Sequence, residues 1–387
     1  MGAPPEPREI MSEAFTVLHV VPRLNRGGGG ASVFHEWEAT HEQVRHAFLS
    51  LERDVDVSLL RAAMRRRIRV HVAPPPDEEA ALLGQAEVVV VHFWQCPSIY
   101  EFCKRLNGLR LRLIIYSRVR GTTPPQILHG SVLDLSDGWI STAPPELPYP
   151  RPQLWMPALI DPSIVREPMP NRPSAPFVVT HCNTLNASKM HPDFAALHDG
   201  YSVEVFGIGG DESRLSALPN VKLRGFVEKW WRTTVGQVLG YPLHPATSSS
   251  SDKAVQEALF SGLPVVLLAP TGLKALVGES TTVAANAMEY RAALARLAED
   301  PTWRQECAIA GLAHAQEFLH PSKNALRLLD FYKEIQAATP TEKSFNISMT
   351  AYLETVLPPE SSVPLAAWHL AHAEGGRHHW ANSALGQ

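Results

Sequence analysis

Four consecutive hydroxyls, Ser248 to Ser251, run straight into a short helical pattern in the stretch YPLHPATSSSSDKAVQEALFSGLPVVLLAP, residues 241–270. Ser251 or Asp252 can cap that helix, and Val255, Ala258 and Leu259 give it an apolar face. Gly262 stands just past its end, where a left-handed residue closes helices. The apolar run from Leu263 to Ala269 then suits a strand buried on both faces. The free N–H groups of such a helix, together with the serine hydroxyls, make a seat for a phosphate or diphosphate. The bare pattern fits an ordinary capped helix of an α/β sheet equally well.

Two more side chains with usable chemistry stand where strands end. His92 follows the run EVVVV (Glu87 to Val91), and Arg118 follows the strand pattern Leu111 to Tyr116. Ligands of doubly wound sheets sit at the carboxyl ends of strands, although a lone histidine or arginine there is often structural. Gly27 to Gly30 follow a strong first strand, Phe15 to Val21, and precede a helical segment from Ala31. That is the layout of a nucleotide-binding domain, but without the spaced GxGxxG pattern. Asp54-Val55-Asp56 forms a DxD string beside no predicted site and reads as chance. His369, His372, His378 and His379 have no HExxH or comparable carboxylate frame, so no metal site is expected there.

The elements that must position these residues need room. A chain of 387 residues exceeds one usual domain, and 45% hydrophobic with 19% charged residues is the composition of a globular protein. A net charge of −4 offers no surface for nucleic acid. Thirty-three prolines favour short loops and a stiff linker. No apolar stretch reaches the roughly 20 residues of a spanning helix, and the N-terminus lacks the apolar core of a secretory signal. Cys96, Cys103, Cys182 and Cys307 are scattered without the close pairs of a zinc or redox motif, so a cytoplasmic enzyme with reduced thiols is expected.

Strand and helix signals alternate twice. The first series includes Phe15–Val21, Ile68–Val72, Glu87–Val91 and Leu111–Tyr116, with shorter strands at Ile140–Thr142 and Leu154–Pro157. Five prolines crowd DPSIVREPMPNRPSAP, residues 161–176, the best domain boundary in the chain. The alternation restarts at Phe177–Thr180 and continues through SVEVF (202–206), Val221–Leu223 and Val238–Tyr241 to the serine loop. Helical patterns then cover Met288–Asp300, Trp303–Phe318 and Asn324–Ala337. The expectation is an α/β protein of two doubly wound Rossmann-like domains, 1–165 and 166–338, facing across a cleft, with a helical tail at 339–387.

Four segments in order carry a family resemblance: VLHVVPRLNRGGGGASVF (17–34), VVVVHFWQCPSIYEF (88–102), TLNASKMHPDF (184–194) and EALFSGLPVV (257–266). Together they resemble the large retaining group of GT-B glycosyltransferases that includes glycogen synthases and phosphatidylinositol mannosyltransferases. The last segment is similar to that group's EAMACGLPVI signature. The resemblance implies that Glu257 binds the nucleotide ribose, that Lys189 contacts the donor diphosphate with Ser250 and Ser251, and that Gly28 and Gly29 lie near the substrate phosphates. It makes His92 a candidate for hydrogen-bonding the donor sugar or taking the acceptor proton, and Trp94, Arg118 and Gly121 candidates for the acceptor side.

The chain also departs from that pattern. Ser249 stands where the group places a first glutamate, which leaves Asp252 as the nearest acid for the donor sugar. Asn183 falls near the position of a diphosphate-binding arginine. The implied activity is metal-independent, cofactor-free retaining transfer of a sugar from a nucleoside diphosphate sugar to an acceptor hydroxyl. The two lost charges give weight to an alternative, a catalytically silent GT-B-like scaffold. Base, sugar, acceptor and oligomeric state are not written in the sequence.

Overall fold

In the computed structural model of the chain, the described residues are 14–352, except 25–28, 95, 119, 124–125, 145–148, 167–175, 187–188, 246–250, 269–272, 280–281 and 349–350. The first unit opens with β1 (Phe15–Val21), α1 (Gly29–Thr40), β2 (Val44–Ser50), α2 (Val57–Arg65), β3 (Arg69–Val72) and α3 (Pro76–Gln85). It continues through β4 (Val88–Phe93), α4 (Pro97–Arg105), β5 (Arg110–Leu111), β6 (Leu113–Ser117), β7 (Thr122–Thr123) and β8 (Gln126–Ile127). It ends with α5 (Gly130–Leu135), β9 (Gly138–Ser141) and β10 (Gln153–Trp155). Seven of these strands form one sheet in the order β10-β9-β6-β4-β1-β2-β3, with every pairing parallel. Because both faces of a parallel sheet are covered by crossover helices, its central strands VVVVHF and FTVLHVV are nearly continuous apolar runs.

A single turn of 3-10 helix (Pro162–Arg166) leads out of this unit. The second begins with β11 (Val178–Cys182), α6 (Phe194–Leu197), β12 (Ser202–Phe206), α7 (Glu212–Ser216), β13 (Val221–Gly225) and α8 (Trp230–Thr233). Then come β14 (Val238–Pro242), α9 (Lys253–Phe260), β15 (Val265–Leu268), α10 (Lys274–Val277), β16 (Thr282–Ala284), α11 (Ala287–Glu299), α12 (Pro301–Phe318), α13 (Pro321–Ala337) and β17 (Thr341–Glu342). The second sheet is also all parallel, in the order β13-β12-β11-β14-β15-β16.

Strand order places the crevices. In the first sheet the winding reverses between β1 and β4, and in the second between β11 and β14. A doubly wound sheet binds ligands at such a reversal, outside the carboxyl ends of its strands. His92 near the end of β4 and Asn183, Asn186 and Lys189 after β11 lie at these two reversals, while Gly27 and Gly28 of the glycine run and Ser248 to Ser250 fall outside the described residues.

The C-terminal part of the chain returns to the first unit. Ala325, Leu328, Leu329, Phe331, Tyr332 and Ile335 of α13 share one core with Phe15, Val17, Val88, Val90 and Ile114. Beyond α13, β17 pairs antiparallel with β5, and Phe345 and Tyr352 pack beside Tyr100. A boundary at 338 therefore separates two segments that both pack on the first unit, Phe345 and Tyr352 in one core cluster and α13 in another. The first sheet needs cover on that face, and α13 supplies it. Residues 343–348 are irregular, not helical, and the stretch from 353 lies outside the described residues. Among the described residues no helix is long and apolar enough to cross a membrane.

Candidate active site

Helix α9 has no side-chain cap, contrary to expectation. Asp252 is its N-cap in extended conformation (φ −87°, ψ 120°), yet its carboxylate makes no capping bond. Asp252 instead faces Tyr241, whose hydroxyl is driven to a high pKa by burial first and by the Asp252 charge second. Ser251 Oγ accepts the Ala158 N–H at 2.9 Å, and Gln256 Nε2 donates to the Ala158 carbonyl at 3.1 Å and to Ser251 Oγ at 3.2 Å. A tertiary contact has outcompeted the local cap and ties the start of α9 to the strap that leaves the first unit. Gly262 does close the helix, with φ +68°. Ser248, Ser249 and Ser250 lie outside the described residues.

One turn into α9, Glu257 Oε2 accepts the Trp230 indole N–H at 2.6 Å. Burial raises the Glu257 pKa to about 7, against the pull of Trp230 and of Lys253, its neighbour four residues back on the same helix face. Burial lowers the Lys253 pKa; Glu257 and Glu36 oppose that shift, and Arg118 adds to it. Lys253 is thus the point where the two units meet electrostatically, between Glu257 of the second and Glu36 with Arg118 of the first. Beside Trp230, Lys229 Nζ lies 3.0 Å from Asp161 Oδ2 and 2.7 Å from Ser163 Oγ, fixing the strap again.

The loop after β11 carries Asn183 and Lys189. The Asn183 N–H bonds to the Phe206 carbonyl at 3.1 Å, while its Nδ2 is buried without a partner among the described residues. Lys189 is half-buried, and its carbonyl accepts the His244 N–H at 3.0 Å, which holds it at the carboxyl edge beside β14. Gly207 and Gly209 let this loop close down. A Cβ on Gly207 would stand 1.8 Å from the Asn183 carbonyl oxygen, and φ there is +134°. Gly207→Ala is expected to cost about 2 kcal/mol or more in thermal or urea denaturation, through strain and a displaced loop. Gly210→Ala, with nothing within 4 Å of its Cβ, should be close to neutral in the same experiment.

On the first unit, His92 is buried and both its ring nitrogens are engaged. Nδ1 accepts from Arg118 (Nη2 at 2.8 Å, Nε at 3.3 Å), and Nε2 lies 2.9 Å from His19 Nδ1. Burial holds its pKa well below the ordinary range, and Arg118 adds to that. A neutral imidazole has one donor and one acceptor, and both are spent inside the protein. Arg118 also pairs with Glu36 and stacks 3.6 Å over the Tyr116 ring. Trp94 is half-buried against the first core, and Gly121 (φ +80°) turns the chain into β7 with Leu128 packed on it. Gly29 opens α1; Gly28 lies outside the described residues.

The sequence reading missed Glu36, His19, His46, Lys253 and Trp230. One of these had a local signal: His19 interrupts a largely apolar strand. The DxD string is accounted for, since Asp54 pairs with Arg23 and Asp56 caps α2. His19, Glu36 and His92 place ligand-type atoms within 4.8 Å of one another. The four C-terminal histidines lie outside the described residues.

No protein-family model and no curated protein sequence matches this chain. Among solved structures it is similar to Anabaena Alr3699/HepE, crystallised in complex with UDP, at 13% identity and a TM-score of 0.65 over 83% of this chain and 100% of that one. It is likewise similar to a glycosyltransferase from Rickettsia africae ESF-5, at 9% identity and a TM-score of 0.65 over 85% and 100% of the two chains. The lipopolysaccharide outer core galactosyltransferase WaaB, in its apo form, matches at 12% identity and 0.57 over 82% and 100%. Two parallel doubly wound sheets and matches over more than four fifths of the chain give it the GT-B fold.

Proposed function

We propose that the protein is a retaining, metal-independent glycosyltransferase that moves a sugar from a nucleoside diphosphate sugar to an acceptor hydroxyl in the cleft. The observation that carries this reading is Glu257, set by the Trp230 indole beside Lys253 on α9, at the winding reversal of the second sheet. A carboxylate so placed accepts both hydroxyls of a ribose diol. The N-terminus of α9, Ser250, Ser251 and Lys189 would stabilise the leaving diphosphate, with Asn183 in the adjoining loop and Gly28 and Gly29 contributing to donor binding. Asp252 would take hydroxyls of the donor sugar, while Trp94, Arg118 and Gly121 serve the acceptor. Charge that develops on the leaving group is met by fixed cations and dipoles, so the reaction needs no protein nucleophile and no metal. Uridine is the first base to test, because HepE was crystallised with UDP and with UDP-glucose. Four free thiols fit the cytoplasm.

The test is a panel of uridine and guanosine diphosphate sugars, read by nucleotide release and by thermal stabilisation. Stabilisation by one nucleotide, with release that requires an acceptor, is the expected result. No stabilisation by any of them would sink the enzyme reading in favour of a silent scaffold, which the uncharged Asn183 and Ser249 would then explain. Stabilisation with release independent of acceptor would point to hydrolysis.

A further inference from the structure

His92, His19 and His46 stand side by side on β4, β1 and β2, three neighbouring strands, and all three are buried. Their ring nitrogens touch in series. His92 Nε2 lies 2.9 Å from His19 Nδ1, His19 Nε2 lies 2.7 Å from His46 Nδ1, and His46 Nε2 lies 2.9 Å from Thr40 Oγ1. Both ends of the series have a fixed polarity. Arg118 at one end can only donate, to His92 Nδ1, and the Glu36 carbonyl at the other can only accept, from Thr40 Oγ1 at 2.7 Å. One donor order satisfies every contact: each histidine is neutral, carries its proton on Nε2 and accepts on Nδ1. The Glu36 carboxylate then pairs with Arg118, so the series closes into a ring.

We infer that these three histidines are positioning residues that hold the Arg118 guanidinium in one orientation toward the cleft, with His46 as the member farthest from it. Arg118 faces Lys253 of the second unit and Glu36 of its own, and Tyr116 and Tyr332 line the remaining sides. His41 lies near His46 and, after burial, adds to the lowering of its pKa. A guanidinium so fixed meets a ligand without the rotamer cost a mobile arginine would bear. That the donors meet substrate rests on the function proposed above; the ring itself does not.

A divalent ion between His19 Nδ1 and His92 Nε2, with Glu36 Oε2 3.8 Å from the former, is the rival arrangement. It needs the proton of His92 on Nδ1, where Arg118 donates, so the two are mutually exclusive for a neutral ring.

The experiment uses the full chain labelled with nitrogen-15, with histidine signals assigned by single substitutions. At neutral pH, His19, His46 and His92 should all show the Nε2–H tautomer. A proton on His92 Nδ1, an imidazolium at any of the three, or stoichiometric bound zinc would overturn the inference. His46→Leu should speed exchange of the Arg118 side-chain N–H groups with water by about 10-fold or more, the equivalent of one lost hydrogen bond, and His46→Gln, which can still accept and donate, should restore it. Unchanged Arg118 exchange in His46→Leu would also overturn it. If a nucleotide sugar is turned over, His46→Leu should lower kcat and leave the donor KM unchanged. If none is, the tautomers and the exchange still decide.

Discussion

Replacing Glu257 with glutamine is expected to remove stabilisation by uridine diphosphate and to cut transfer by about 100-fold or more. Two charge-assisted hydrogen bonds to a ribose diol are worth roughly 3–6 kcal/mol together, and each 1.4 kcal/mol is a factor of ten. Glutamine keeps an oxygen for the Trp230 N–H, so the indole is not orphaned. It does remove the counter-charge of Lys253, whose pKa burial has already lowered. Both side chains are part-exposed, so that loss should cost only about 1–3 kcal/mol of stability. Adding Lys253→Met should recover most of it, since it removes the charge left without its counter-charge. The double variant separates the two effects. If it regains its melting temperature but not its response to the nucleotide, Glu257 binds ligand; if the response returns with stability, Glu257 only supports the fold.

Much of the frame behind that experiment was legible in the sequence. The expected strands Phe15–Val21 and Ser202–Phe206 have the observed bounds, and the proline-rich strap falls between the two sheets. Buried parallel strands are uniformly apolar, which makes them the easiest elements to read. Strand β2 was missed because VRHAFLS carries an arginine and a histidine, and the histidine is polar for a reason only its neighbours on β1 reveal. The return of α13 to the first sheet was equally hidden. Its apolar stripe says that it packs, not on which of two sheets. At the site, motif and family likeness reached Glu257 and Lys189 but not Lys253 or Glu36. Those two matter through each other, across more than 200 residues of chain, and a lysine beside a helix start or a glutamate on a first helix is unremarkable alone. Ser251 shows the converse. Its local pattern called for a cap, and a backbone amide in the strap claimed the hydroxyl.

Acid should unfold this protein before most of its carboxylates titrate. Burial lowers the pKa of His46 to about 3, His181 to about 4 and His198 to about 3, against 6.5 in an unfolded chain. For a depressed histidine the unfolded state binds a proton that the folded state refuses. Stability is therefore intact above pH 6.5 and falls as pH drops below it. At pH 4.5 the three together have lost roughly 8 kcal/mol, which rivals the whole stability of an ordinary domain. His19 and His92 shift in the same direction. Glu257 works the other way: its pKa of about 7 lets the folded state hold a proton first, which returns no more than about 3 kcal/mol on the way down. Glu36 also opposes the loss. The histidines outnumber them, so urea-unfolding free energy should decline steeply between about pH 6.5 and 4.5. His198 offers the sharpest single test. Its Nε2 meets the Tyr290 hydroxyl at 2.9 Å in a space that Gly240 leaves open, and a Cβ on that glycine would stand 2.5 Å from the same hydroxyl. In His198→Gln the slope of free energy against pH near pH 5 should fall by about one proton, or about 1.4 kcal/mol per pH unit. An unchanged slope would mean that His198 is already charged in the fold and that burial does not set its protonation.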